Sequence, residues 1–185
     1  RTVGALTIAD VRLADPAEMG GKAAGLRRLA DAGLPIPETR VLGASALAAF
    51  LAHNRLDAPT ADRVRAGSFP PGWEDALVAE GRALGGRLAV RSSGLEEDGR
   101  AKSFAGVHHT ALGVAPEDVP AAVREVWASA YGASATAYGS GAAGMAVVLQ
   151  GLLEPHCAGV VFTVNPQNGS WREVVVEAVR GQGDA

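Results

Sequence analysis

Residues 145–153 (MAVVLQGLL), 158–164 (AGVVFTV) and 173–179 (EVVVEAV) are three short apolar runs, separated by Pro155-His156 and by a turn from Asn165-Pro166 to Gly169. Runs of this length, rich in valine and bounded by Pro, Gly and Asn, are strands rather than helices. The last 40 or so residues are therefore predicted to be largely sheet. Upstream the pattern changes. After a short apolar segment at 3–8, a helix is predicted from Ala23, with Ala24, Leu26, Leu29, Ala30 and Ala32 at helical spacing and Gly33 and Pro35 as its stop. A short strand at 36–42 and a helix at 46–53 capped by Ser45 follow. Residues 54–72, with Gly67, Pro70, Pro71 and Gly72, read as a loop. A helix at 73–84 places Trp73, Leu77 and Leu84 on one side, and Gly85-Gly86 leads into a strand at 87–91. A strand at 110–114, an amphipathic helix at 117–131 and a Gly, Ala and Ser stretch at 132–144, mobile or a tight turn, complete the chain. The pattern shows no internal repeat and gives an α/β or α+β chain with a hinge near Gln150-Gly151. The lobes would then be 1–149 and 150–185.

The 185 residues suffice for one large domain or two lobes sharing a core. With 48% hydrophobic and 20% charged residues, the chain lies far from the composition of disorder. A net charge of -3 gives no basic field for a phosphodiester backbone, so nucleic acid is not an expected partner. No apolar run approaches the roughly 20 residues that span a bilayer. The first residues, Arg-Thr-Val-Gly, lack a signal peptide's apolar region, so a soluble, cytoplasmic protein with no membrane partner is expected. Cys157 is the single cysteine, which excludes an intrachain disulfide and a metal site of several thiolates. At the start of an apolar strand it is expected to be a small buried filler. His156 beside it would point to the opposite face, against a Cys-His pair.

Chemistry concentrates in two segments. Gly20-Gly21-Lys22 opens a predicted helix, where first-turn amides lack intrahelical partners, glycine permits close approach and lysine adds a full charge. The segment lacks the spacing of a Walker A loop and the hydroxyl that follows its lysine. In LAVRSSGLEEDGRAKSFAG, residues 88–106, Arg91 stands where an apolar strand ends and could grip phosphate oxygens with two parallel donors. The alternative is a salt bridge from Arg91 to Glu96, Glu97 or Asp98. Ser92 and Ser93 either contact a ligand or cap the turn. Of the 17 basic residues only Lys22 and Lys102 are lysines, and both fall in these segments.

Together with a third segment, these resemble a known family. GGKAAGL with AGLPIPE, then AVRSSGLEEDGRAKSFAG, then MAVVLQGLLEPHCAGVVFTVNPQNG are similar, in order and over nearly the whole chain, to the nucleotide-binding, N-terminal domain of phosphoenolpyruvate synthase, pyruvate phosphate dikinase and rifampin phosphotransferase. The resemblance implies an α+β, ATP-grasp-like, two-lobed domain in a truncated or compact version. It implies that Lys22 and Arg91 hold the phosphates and carry catalysis, that Ser92, Gly106 and Thr110 line the site, and that Gln150, with Leu152, lies by the adenine. The cofactors implied are ATP and Mg2+, with no metal ligand assigned to this chain. In such enzymes ATP phosphorylates a histidine on a separate swivelling domain, and AMP and phosphate leave.

The resemblance also has gaps. Family members continue beyond the segment similar to VVVEAVRGQGDA, and that continuation supplies an acidic metal ligand and further nucleotide contacts. Neither Glu177 nor Asp184 matches it. None of His53, His108, His109 and His156 has the surroundings of the carrier histidine, so surface or packing roles are expected, with His108 or His109 able to approach the phosphates. The regions 54–72 and 132–144 look shortened. The chain is thus expected to be a piece of a longer kinase, a split subunit completed in trans by a carrier domain or complementary polypeptide, or a degenerate module that binds nucleotide or a partner without catalysis. An interaction domain without a ligand is the remaining alternative.

Overall fold

Burial along residues 145–150 sets the architecture of the first half. All six side chains are buried, which happens when a strand is covered on both faces. The computed structural model describes residues 6–95, 110–132 and 144–183, and within it the chain divides into two units, Arg1–Leu152 and Leu153–Ala185.

In the first unit, β5 (Met145–Gly151) is the central strand of a five-stranded antiparallel sheet. Its neighbours are β2 (Thr39–Leu42) and β3 (Leu88–Gly94), with β1 (Ile8–Asp10) beyond β2 and β4 (Thr110–Val114) beyond β3. Val147 and Leu149 join Leu42, Leu88 and Val90 in the larger core, while Ala146 and Val148 join Val41 in a smaller one. Four helices supply the larger core: α2 (Ala44–His53), α3 (Ala61–Ala66), α4 (Trp73–Leu84) and α5 (Val119–Ser129). At its centre Phe50, Phe69 and Trp127 stack with ring centroids 5.1 to 5.8 Å apart. The smaller core is closed by α1 (Pro16–Asp31) through Met19 and Ala23.

Several elements depart from the sequence expectation: α2 starts at Ala44 with Gly43 as its N-cap, so Ser45 lies inside the helix instead of capping it, and β3 runs on to Gly94, so Arg91 stands mid-strand and not where the strand ends. Helix α1 begins at Pro16 rather than Ala23: Asp15 accepts a hydrogen bond from the Ala17 amide and Pro16 occupies the first turn, a start signal the apolar periodicity does not carry. The glycines therefore lie inside the helical span, and Gly20, at φ 70° and ψ 172°, breaks it into two segments. At the far end Gly33, at φ 77°, terminates it, with the Leu34 amide donating to the Leu29 carbonyl. The region read as a loop contains α3, capped by the Thr60 hydroxyl accepting from the Arg63 amide, and only Val64 of its six residues is buried. One apolar residue leaves no period to detect. The helix expected at 117–131 is a 3-10 turn, Pro116–Asp118, followed by α5.

The second unit is an antiparallel ribbon of β6 (Cys157–Phe162) and β7 (Val175–Arg180). In its turn, the side-chain amides of Asn165 (2.7 Å) and Asn168 (3.3 Å) donate to the Glu173 carboxylate and hold it below the usual range. Cys157 corrects an expectation: it is exposed, not a buried filler. Val160, Val161, Val176 and Val179 are exposed as well, because a two-stranded ribbon offers its residues few neighbours.

Candidate functional site

Alternation along the strands sorts the polar residues of the sheet. Arg91 pairs with Val148 on one side and Thr110 on the other, Ser93 pairs with Ala146, and Gln150 pairs with Thr39 and Ala89. Residues directly opposite share a face, and so do residues two apart. Thr39, Arg91, Ser93, Thr110 and Gln150 therefore all lie on the face that α1 covers, beside the apolar patch of Val41, Ala146 and Val148. The opposite face carries the larger core and only Ser92 as a polar interruption in β3.

Helix α1 meets this face through its break. Gly20 packs directly on the backbone of Ser93: a Cβ there would overlap the Ser93 carbonyl oxygen and lie 2.6 Å from its Oγ. The helix restarts after Gly20, and its Ala23 amide donates to Ser93 Oγ at 3.2 Å in a buried contact. Ser93, seventy residues away in sequence, thus serves as the cap that the glycine turn does not provide. Lys22, half-buried, sits in the first turn of the restarted segment, with its positive dipole end. Two segments predicted to bind phosphate are in this way brought together by a glycine and a serine.

Arg91 is half-buried in the middle of β3, and its guanidinium has no ion pair or hydrogen-bond partner among the described residues. The competing reading, a salt bridge to Glu96, Glu97 or Asp98, concerns side chains outside the described residues, as do Gly106, His108 and His109. A guanidinium partly removed from water, with no carboxylate beside it among the described residues, is suited to an anion from solution. Thr110 is exposed beside it on β4.

Gln150 lies on the same face, two residues along β5 from Val148, or ~7 Å at ~3.4 Å per residue. It is in the first unit, not at the start of a second lobe. Its side-chain nitrogen donates to Thr39 Oγ1 at 3.0 Å. Leu152 is half-buried just past the strand, with its amide donating to the Arg87 carbonyl at 2.9 Å.

Ser92 stands apart from the others. It is fully buried on the larger-core face, and its Oγ has no hydrogen-bond partner among the described residues. The serine that meets the glycine turn is Ser93, and period-two alternation from Arg91 was the signal that could have chosen between them. Thr39 escaped the sequence reading as well, although it shares the face of Val41 by the same rule. Glu18 was missed too, and its carboxylate accepts from the Ser45 amide at 2.6 Å, capping α2. His53 and His156 are exposed.

The model of a family described as pyruvate phosphate dikinase, AMP/ATP-binding domain, matches residues 16–185. The prodigiosin synthesizing transferase PigC of Serratia marcescens is 35% identical over 184 residues, covering 92% of this chain and 21% of that protein. The phosphoenolpyruvate synthase of Aeropyrum pernix is 32% identical over 204 residues, covering 90% of this chain and 25% of that protein. The rifampicin phosphotransferase of Streptomyces sviceus is 36% identical over 104 residues, covering 52% of this chain and 12% of that protein. This chain thus spans a quarter or less of the length of these relatives. With the family model covering all but the first 15 residues, the chain belongs to the pyruvate phosphate dikinase AMP/ATP-binding domain family.

Proposed function

We propose that this chain is the ATP-binding part of a dikinase-type phosphotransferase, with Lys22 and Arg91 holding the phosphates and Gln150 reading the purine. The observation that carries the reading is the seating of the Gly20 turn on Ser93, which puts the helix restart at Lys22 on the same sheet face as Arg91. The names of the three relatives point to three different products, prodigiosin, phosphoenolpyruvate and a rifampicin derivative, while two of them match nine-tenths or more of this chain and the third about half of it. A shared domain under differing end products fits the step common to them, use of the nucleotide.

In this reading the phosphoryl group passes from ATP to a histidine on another domain or subunit, with one water consumed and AMP and phosphate released. Lys22, Arg91 and the restarted helix would neutralise and orient the triphosphate, the main work of catalysis in phosphoryl transfer. Thr110 and, outside the described residues, Gly106 would border the phosphates, and Leu152 the base. Among the described residues no three His, Cys, Asp or Glu side chains gather, so Mg2+ would be held through the phosphates and by groups beyond those residues. No helix among the described residues is long and apolar enough to cross a membrane.

Calorimetric titration of ATP into the chain, with and without Mg2+, followed by an assay for AMP, tests the reading. Saturable one-to-one binding is expected, with no AMP unless a carrier domain is added. Absence of any ATP binding contradicts the proposal. AMP formation by the chain alone contradicts its dependence on a second domain.

A further inference from the structure

Thr39 is 1% exposed and Gln150 7%, and the two are joined by a directional chain of hydrogen bonds. The Thr39 hydroxyl donates to the Pro37 carbonyl at 2.8 Å, and Gln150 Nε2 donates to Thr39 Oγ1 at 3.0 Å. A threonine hydroxyl has one proton, and a carbonyl can only accept. With that proton directed to Pro37, Oγ1 can receive a hydrogen bond from Gln150 but cannot give one. The nitrogen end of the Gln150 amide must therefore face Thr39 and the oxygen end must turn away, where Oε1 has no partner among the described residues. Pro35 and Pro37 fix two backbone angles of the segment that carries the carbonyl, so the origin of the chain is itself stiff.

We infer that Thr39 is a positioning residue for purine choice: by fixing the Gln150 amide, it presents an acceptor that matches the exocyclic amine of adenine and opposes the carbonyl of guanine. The inference rests on the nucleotide-binding reading above and adds the origin of its base selectivity. Adenine carries an amino donor where guanine carries an acceptor oxygen. Oε1 facing guanine would leave two acceptors opposed, a mismatch that sites built on hydrogen bonds discriminate against strongly. Among the described residues only the Thr39 hydroxyl distinguishes the two amide orientations, and the flipped amide would offer guanine a donor.

The test titrates the unmodified chain, Thr39→Val and Thr39→Ser with ATP, GTP and inorganic tripolyphosphate. The unmodified chain is expected to prefer ATP. Thr39→Val should lower the ATP-to-GTP affinity ratio at least fivefold with tripolyphosphate binding unchanged, and Thr39→Ser should keep the ratio within twofold. A Thr39→Val chain that retains the full ratio, or an unmodified chain that binds both nucleotides equally, overturns the role of Thr39 and leaves nucleotide binding standing. An unmodified chain that binds neither ATP nor tripolyphosphate overturns both. Should Thr39→Val fail to fold, the Gln150 side-chain amide of the unmodified chain gives the answer by NMR. One Nε2 proton protected from exchange, with a resonance that moves on adding ATP but not tripolyphosphate, supports the inference; an unprotected pair, or one that ATP leaves unmoved, overturns it.

Discussion

Gly20→Ala is expected to destabilise the first unit by at least about 3 kcal/mol and to remove ATP binding with it. The backbone at Gly20, φ 70° and ψ 172°, lies in a region that is essentially glycine's alone, where another residue costs ~1–3 kcal/mol. The new methyl would in addition overlap the Ser93 carbonyl oxygen. Ser93 cannot retreat cheaply, because it is paired with Ala146 in the central strand and its Oγ caps the restarted helix. Gly33→Ala is the matched control: Gly33 also has a positive φ, 77°, but nothing lies within 4 Å of its would-be Cβ. The control should lose only the ~1–2 kcal/mol of a left-handed backbone. Urea denaturation of the three chains measures both losses through the midpoint at constant slope. Equal losses at Gly20 and Gly33 would mean that the contact with Ser93 carries no weight.

Arg91→Ala is expected to weaken ATP binding by about 30- to 150-fold, the effect of removing a charge-assisted, two-donor contact worth ~2–3 kcal/mol. Stability should hardly change, because the guanidinium makes no ion pair or hydrogen bond with the described residues that the substitution could break. Arg91→Lys should recover only part of the affinity, since a point charge cannot offer two parallel donors. Arg12, whose side chain is 54% exposed and, among the described residues, paired with Asp10 alone, supplies the control, and its alanine variant should bind ATP as the unmodified chain does. Calorimetry reads all four affinities. An Arg91→Ala chain with unchanged ATP affinity but a large loss of stability would make Arg91 a structural residue.

Much of this arrangement was legible in the sequence because it is local. The apolar run at 145–149 announced a strand, and Trp73 and Leu77 at helical spacing announced the buried side of α4. What escaped is set by partners distant in the chain. The break in α1 is a property of Gly20 against Ser93, and no window around residue 20 contains Ser93. The preference for Ser92 over Ser93 was an error of face, which the alternation from Arg91 decides once β3 is known to be a strand. Thr39 gained meaning only when β2 and β5 were placed side by side, joining it to Gln150 across 111 residues. The error at Cys157 came from taking an unpaired cysteine at the start of an apolar strand as buried, whereas burial depends on what packs against the strand.

The most direct test of the phosphate face is the change in backbone amide NMR shifts as ATP is added to the chain. The shifts are expected to change most at residues 20–23 and 91–93, with the Gln150 side-chain amide following, while the amides of Phe50 and Trp127 in the opposite core stay still. Binding that moves residues around Phe50 and Trp127, or any other surface, and leaves residues 20–23 and 91–93 in place would contradict a phosphate site built where α1 restarts over β3.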